Sequence, residues 1–143
     1  MSAPTILVIE DNVADLVLIR YAFDELGEPY RIEVLPDGEA ALGFVDDHRS
    51  GRLQHEPCVI LLDLHLPRYN GIEVLTAIRL EPVLSHIHVF VLTTEASPAE
   101  RAQINELGGV CCIKPSDLEE IKALAADILA ACKEPSGLPK TPR

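Results

Sequence analysis

Five side chains of reactive type stand where apolar runs break off: Glu10 and Asp11, Asp63, Thr93 and Lys114. Val59-Ile60-Leu61-Leu62 reads as a strand buried on both faces, and it ends in Asp63. A buried strand has no structural need for an acid as it leaves the sheet. In an open parallel sheet, however, ligands bind outside the carboxyl ends of the strands. If the strands are parallel, all five side chains meet on one sheet edge. Three carboxylates in one crevice repel one another unless a cation joins them. Oxygen-only donors with an open shell suit Mg²⁺, which keeps water ligands and accepts phosphate oxygens. With a hydroxyl and an ammonium beside it, such a centre can receive a phosphoryl group on Asp63.

The elements that must carry these groups are legible as an alternation. Thr5-Ile6-Leu7-Val8-Ile9 is a short apolar strand, and Asn12 caps a helix after it, with Val13, Leu16, Val17, Ile19, Phe23 and Leu26 on its apolar positions and Gly27 closing it. Arg31 to Leu35 alternates as an edge strand does, and Asp37-Gly38 leads into a helix over Glu39 to Asp47. His48 to Pro57 is polar and reads as a loop before the central strand. Asn70 and Glu73 form a capping box, with Pro82 ending that helix. A strand from His88 to Leu92 precedes a helix opened by Ser97-Pro98-Ala99-Glu100 and stopped by Gly108-Gly109. Val110 to Ile113 is the fifth strand. Ser116 to Glu119 reads as another capping box, before a helix to Cys132.

Five β-α units imply an α/β fold, a doubly wound, flavodoxin-like parallel sheet in the order 2-1-3-4-5 with five helices. One domain over 1–133 is expected, with 134–143, which holds three prolines, as a flexible tail.

Composition narrows the function. A formal net charge of −11 without a Lys/Arg cluster argues against nucleic acid as partner. No apolar run has the length of a membrane span, so the expected setting is the cytoplasm, with no membrane partner. Cys58, Cys111, Cys112 and Cys132 show no metal or redox spacing and are expected reduced, as small core residues. His86 and His88 lack a third ligand and read as packed or solvent-facing imidazoles.

Taken together, Glu10-Asp11, Asp63, Thr93-Thr94 and Lys114-Pro115 resemble the receiver domain of two-component response regulators, over roughly Thr5 to Cys132. The resemblance implies that Asp63 accepts a phosphoryl group from a phosphohistidine on a sensor histidine kinase. It implies Mg²⁺ held by Glu10, Asp11, Asp63 and the backbone carbonyl of His65. Lys114 would pair with the phosphoryl oxygens, and Thr93 would turn to hydrogen-bond one of them. The Val-Ile-Glu-Asp-Asn-x-x-Asp, Leu-Leu-Asp-Leu-x-Leu-Pro and Leu-Thr-Thr stretches look most like stand-alone receivers that serve bacterial phytochrome kinases. The chain departs from the family pattern at Cys111, often aromatic, and at His88, often proline; the bond before Pro115 is often cis.

On this reading the protein is a signalling phosphoacceptor and not an enzyme, acting through a partner or a homodimer face. Two other readings stand beside it. An aspartate-nucleophile phosphatase resembles D-x-D on a first strand, whereas Asp63-Leu64-His65 lacks the second acid and lies on the third. A phosphorylation-independent interaction module would make Cys111 the mark of a decayed switch. A nucleotide-binding flavodoxin-like module is weaker, because no glycine-rich phosphate loop occurs.

Overall fold

The computed structural model describes residues 3–51 and 56–133. Apolar strands form where the runs predict them: β1 (Thr5–Ile9), β2 (Arg31–Leu35), β3 (Val59–Asp63), β4 (His88–Thr93) and β5 (Val110–Ile113). All pair in parallel, in the order β2-β1-β3-β4-β5. The helices α1 (Val13–Leu26), α2 (Gly38–Arg49), α3 (Gly71–Leu80) and α4 (Pro98–Glu106) fill the four crossovers, and α5 (Leu118–Ala131) follows β5. The fold is therefore the flavodoxin-like α/β sheet anticipated above.

Strand alternation splits the core in two. Leu7, Ile9, Ile60, Leu62 and Val91 face α2, α3 and α4, while Ile6, Val8, Val59, Leu61 and Leu92 face α1 and α5. β3 is buried along its whole length, since it has a strand on either side and helices on both faces. On the first face Arg79 of α3 ties elements together without an acid. Its guanidinium donates to the carbonyls of Leu107, Gly108, Ser85 and Ile87 at 2.6–3.2 Å, which satisfies free carbonyls after α4.

Several local expectations are corrected. The α2 helix runs through Arg49, two residues into the predicted loop, because His48 is buried against Phe44 and extends the packed face. Residues 52–55 of that loop, and the tail 134–143, lie outside the described residues. The cap of α5 is Asp117, whose carboxylate accepts from the Glu120 backbone N–H at 2.8 Å. Ser116 sits one residue before it, with its N–H donated to the Glu120 carboxylate. Val13 and Val17 are exposed, at 72% and 60%. With Tyr21 they follow a four-residue step along one flank, while Ile19, Ala22 and Phe23 form the stripe against the sheet.

The cysteines also depart from expectation. Cys58 and Cys132 are joined in a disulfide, with Cα atoms 5.1 Å apart across 74 residues of sequence. A helix that follows a parallel strand runs back along the sheet, so the end of α5 returns to the edge where β3 begins. No sequence spacing announces that meeting. Cys111 and Cys112 remain free and face opposite cores, as alternation requires. The peptide before Pro115 is trans.

Candidate functional site

Parallel strands end together, and this places Glu10, Asp11, Asp63, Thr93 and Lys114 on one rim. β1 hands directly to Glu10-Asp11, and Asn12 then turns the chain into α1 by accepting the Asp15 N–H at 3.1 Å. β3 ends at Asp63, in register with Leu92 on β4. Lys114 follows β5, its N–H donated to the Thr93 carbonyl at 2.7 Å. That bond continues the β4–β5 pairing one residue past the strand and aims the lysine back across the rim.

A carboxylate oxygen from each of Glu10, Asp11 and Asp63 lies within 4.8 Å of the others. Glu10 is 2% exposed and Asp63 7%, whereas Asp11 is open to solvent. Glu10 is fully engaged: Oε2 accepts from the N–H groups of Asp11 and Asn12 at 3.1 and 3.2 Å, and Oε1 from Lys114. Burial, reinforced by the hydrogen bond and charge of Asp63, pushes the Glu10 carboxyl up to about 7, against the opposing pull of Lys114. Asp63 Oδ1 accepts from the His65 N–H at 3.2 Å.

Lys114 is the cation of the crevice. Its Nζ lies 3.1 Å from Glu10 Oε1, 2.7 Å from Asp15 Oδ2 and 3.7 Å from Asp63 Oδ2. Burial by itself would lower the ammonium, but the hydrogen bonds to Asp15 and Glu10 and the charge of Asp63 outweigh it, holding Lys114 above the ordinary lysine range. One lysine against four neighbouring acids leaves a negative excess. An oxygen donor set with that excess fits a hard divalent ion.

The structure thus brings together Glu10, Asp11, Asp63 and Lys114. Thr93 is buried on the same rim but engaged elsewhere: its hydroxyl donates to the Glu95 carbonyl at 2.6 Å and accepts the Glu95 N–H at 3.2 Å. The His65 ring reaches that same carbonyl, Nε2 to O 3.3 Å. Asp15, the last residue of the Val-Ile-Glu-Asp-Asn-x-x-Asp stretch, also reaches the crevice, and sequence reasoning gave it no role of its own. His86 pairs with Glu56 at 2.9 Å and joins no ligand cluster among the described residues.

Behind Asp63 the β3–α3 connection is tight. Arg68 has φ 70°, and the Tyr69 N–H donates to the Pro67 carbonyl at 2.8 Å, closing a three-residue turn of a strained kind. Gly71 opens α3 with its N–H on the Leu64 carbonyl at 2.7 Å.

Such a rim on such a sheet is the arrangement of a signalling receiver domain, and comparison with known proteins shows the family: the chain belongs to the response regulator receiver domain family, whose pattern it matches over residues 6–126. Among curated relatives it is 42% identical over 125 residues to the probable methanogenesis regulatory protein FilR2 of Methanothrix harundinacea, covering 86% of this chain and 79% of that one. It is 34% identical over 111 residues to the response regulator Rcp1 of Synechocystis, covering 78% and 76%. A solved Mn²⁺-bound form of Rcp1 superposes with a TM-score of 0.77 at 31% identity, covering 96% of this chain and 99% of that one. The phosphorylated cyanobacterial phytochrome response regulator RcpA gives 0.78 at 29% identity, covering 90% and 96%. The chain is accordingly a receiver domain related to phytochrome response regulators. No described helix is long and apolar enough to cross a membrane.

Proposed function

We propose that Asp63 is the phosphoacceptor of a two-component relay, charged from a phosphohistidine on a sensor histidine kinase. The observation that carries this reading is the meeting of Asp63 with Glu10, Asp11 and Lys114 on one sheet edge. An Asp63 carboxylate oxygen attacks phosphorus, the P–N bond to the donor imidazole breaks, and the imidazole retains the electron pair and takes up a proton. Phosphoryl transfer asks for alignment and charge neutralisation more than for covalent assistance. Glu10, Asp11, Asp63 and the His65 carbonyl would hold Mg²⁺, which supplies charge neutralisation to the transferring oxygens.

Lys114 then pairs with a phosphoryl oxygen. Thr93 serves as a donor to another by leaving the Glu95 carbonyl that it now holds. The loop after β4 is thereby offered a second arrangement, and a partner that binds only one of the two reads the signal. The relation to Rcp1 and RcpA, one named a cyanobacterial phytochrome response regulator, supports a phytochrome as the kinase. The setting on this reading is the cytoplasm.

Incubation with acetyl phosphate and Mg²⁺ should raise the intact mass by one phosphoryl group, and Asp63→Asn should remove the gain. An unchanged wild-type mass overturns the proposal. A gain that persists in Asp63→Asn moves the acceptor elsewhere. If partner binding is indifferent to Asp63→Asn although the mass gain is lost, the interaction-module reading takes its place.

A further inference from the structure

Lys114 has three N–H donors. In this structure two are spent on Asp15 and Glu10, and the nearest Asp63 oxygen, at 3.7 Å, lies beyond hydrogen-bonding distance. The shortest of the contacts is the one to Asp15. Asp15 belongs to the first turn of α1 whereas Asp63 ends β3, and the ammonium lies 2.7 Å from the one and 3.7 Å from the other. The small cavity beside it is walled by Leu18 and Ile19 of α1 and by Ile121 and Leu124 of α5. Nothing else polar on that wall competes for the lysine apart from Glu10.

We propose that Asp15 is a positioning residue of the phosphorylation site, a latch that holds the Lys114 ammonium on the α1 side until a phosphoryl group on Asp63 draws it across. The inference rests on the phosphoacceptor reading and adds to it the residue that sets the resting position of the lysine. Both partners are only partly exposed, at 20% for the lysine side chain and 28% for the aspartate, so water screens the pair less than a surface bridge. A new phosphoryl group brings close to two negative charges beside Asp63 and outbids one carboxylate. The lysine must surrender its shortest hydrogen bond to make the move, and that loss slows charging of the site.

A purely structural role is the alternative to exclude. Asp15 sits in the first turn of α1, where any acid favours the helix dipole. Asp15→Asn keeps the shape and the backbone N–H that Asn12 caps, and removes the charge. With acetyl phosphate and saturating Mg²⁺, followed by intact mass, Asp15→Asn should accumulate phosphoryl groups roughly two- to tenfold faster than wild type, the size of one hydrogen bond expressed as a rate. Asp15→Glu should return the rate toward wild type. The acceleration should vanish when Lys114→Ala is introduced first. Melting temperatures of the metal-free single and double variants should be non-additive, whereas a helix-start effect would be additive.

A wild-type rate or slowing in Asp15→Asn, an equal acceleration without Lys114, or additive melting temperatures each overturn the latch. A wild type that takes no phosphoryl group sinks the phosphoacceptor reading itself and the latch with it. Normal wild-type charging with an unmoved Asp15→Asn sinks the latch alone.

Discussion

Glu10 is where burial and charge conflict most sharply. Its carboxyl rises to about 7 from a reference value of 4.5, through burial first and the adjacent Asp63 second. Between those two values the folded protein holds a proton that the unfolded chain has released. Stability of the metal-free protein therefore falls as pH rises through this window, by at most about 1.4 kcal/mol per pH unit from this group. A divalent cation must displace the same proton, so its affinity should climb over the same interval. Chelator-treated wild type should lose melting temperature between pH 5 and pH 7 relative to Glu10→Gln, whose profile lacks this component. Matching slopes in the two proteins would refute the assignment. Residue types alone made Glu10, Asp11, Asp63 and Lys114 legible, because an acid or lysine at the end of an apolar strand has no packing reason to be there. Asp15 was not legible: an acid after a helix cap already has a sufficient local explanation, and its second partner lies 99 residues on.

At the scale of elements, the position of Asp63 depends on how closely α3 approaches β3. A Cβ on Gly71 would stand 2.6 Å from the Asp63 carbonyl and 2.8 Å from the Leu64 Cα, both backbone atoms that cannot swing away. Gly71→Ala must therefore separate the helix start from the strand end. A cost of roughly 1–3 kcal/mol is expected, with slowed phosphorylation because Asp63, the proposed acceptor, would move. Gly43→Ala in α2 is the control, since nothing lies within 4 Å of the added carbon; it should leave phosphorylation alone and stabilise by up to about 1 kcal/mol. Equal melting and phosphorylation in the two variants would contradict the close approach. Elements were readable from sequence wherever periodicity and caps agreed, as in α3 with its Asn70–Glu73 box. They were misread where two caps competed. Ser116 and Asp117 are each followed three residues later by glutamate, and local pattern cannot choose between them. Val13 and Val17 mislead similarly, because apolar type does not say which flank of a helix the sheet will cover.

Over the whole molecule, the disulfide joins the C-terminal end of α5 to the start of β3. Closing a loop of 74 residues restricts the unfolded chain, and stabilisation of about 2–4 kcal/mol is the usual range. Reduction, or Cys58→Ser, should lower the melting temperature by roughly 5–15 °C. Four titratable thiols in the unreduced native protein, in place of the two at Cys111 and Cys112, would show the bond to be absent. Cys112 should alkylate slowly in either form, as burial and then the neighbouring Cys111 push its thiol up to about 11. The global topology was legible because strand and helix patterns alternate without interruption and handedness leaves few arrangements. The covalent cross-link was not, since it joins two points that only the completed fold brings together.

That cross-link sits at the margin of the sheet opposite Asp63. The molecule is built like a cantilever, riveted at its root and loaded at its tip. On the proposed reading, a charge arriving at the tip would act on the connections after β3 and β4, away from the covalent tie at the root. The covalent tie and the acidic rim thus stand at opposite ends of the same parallel sheet.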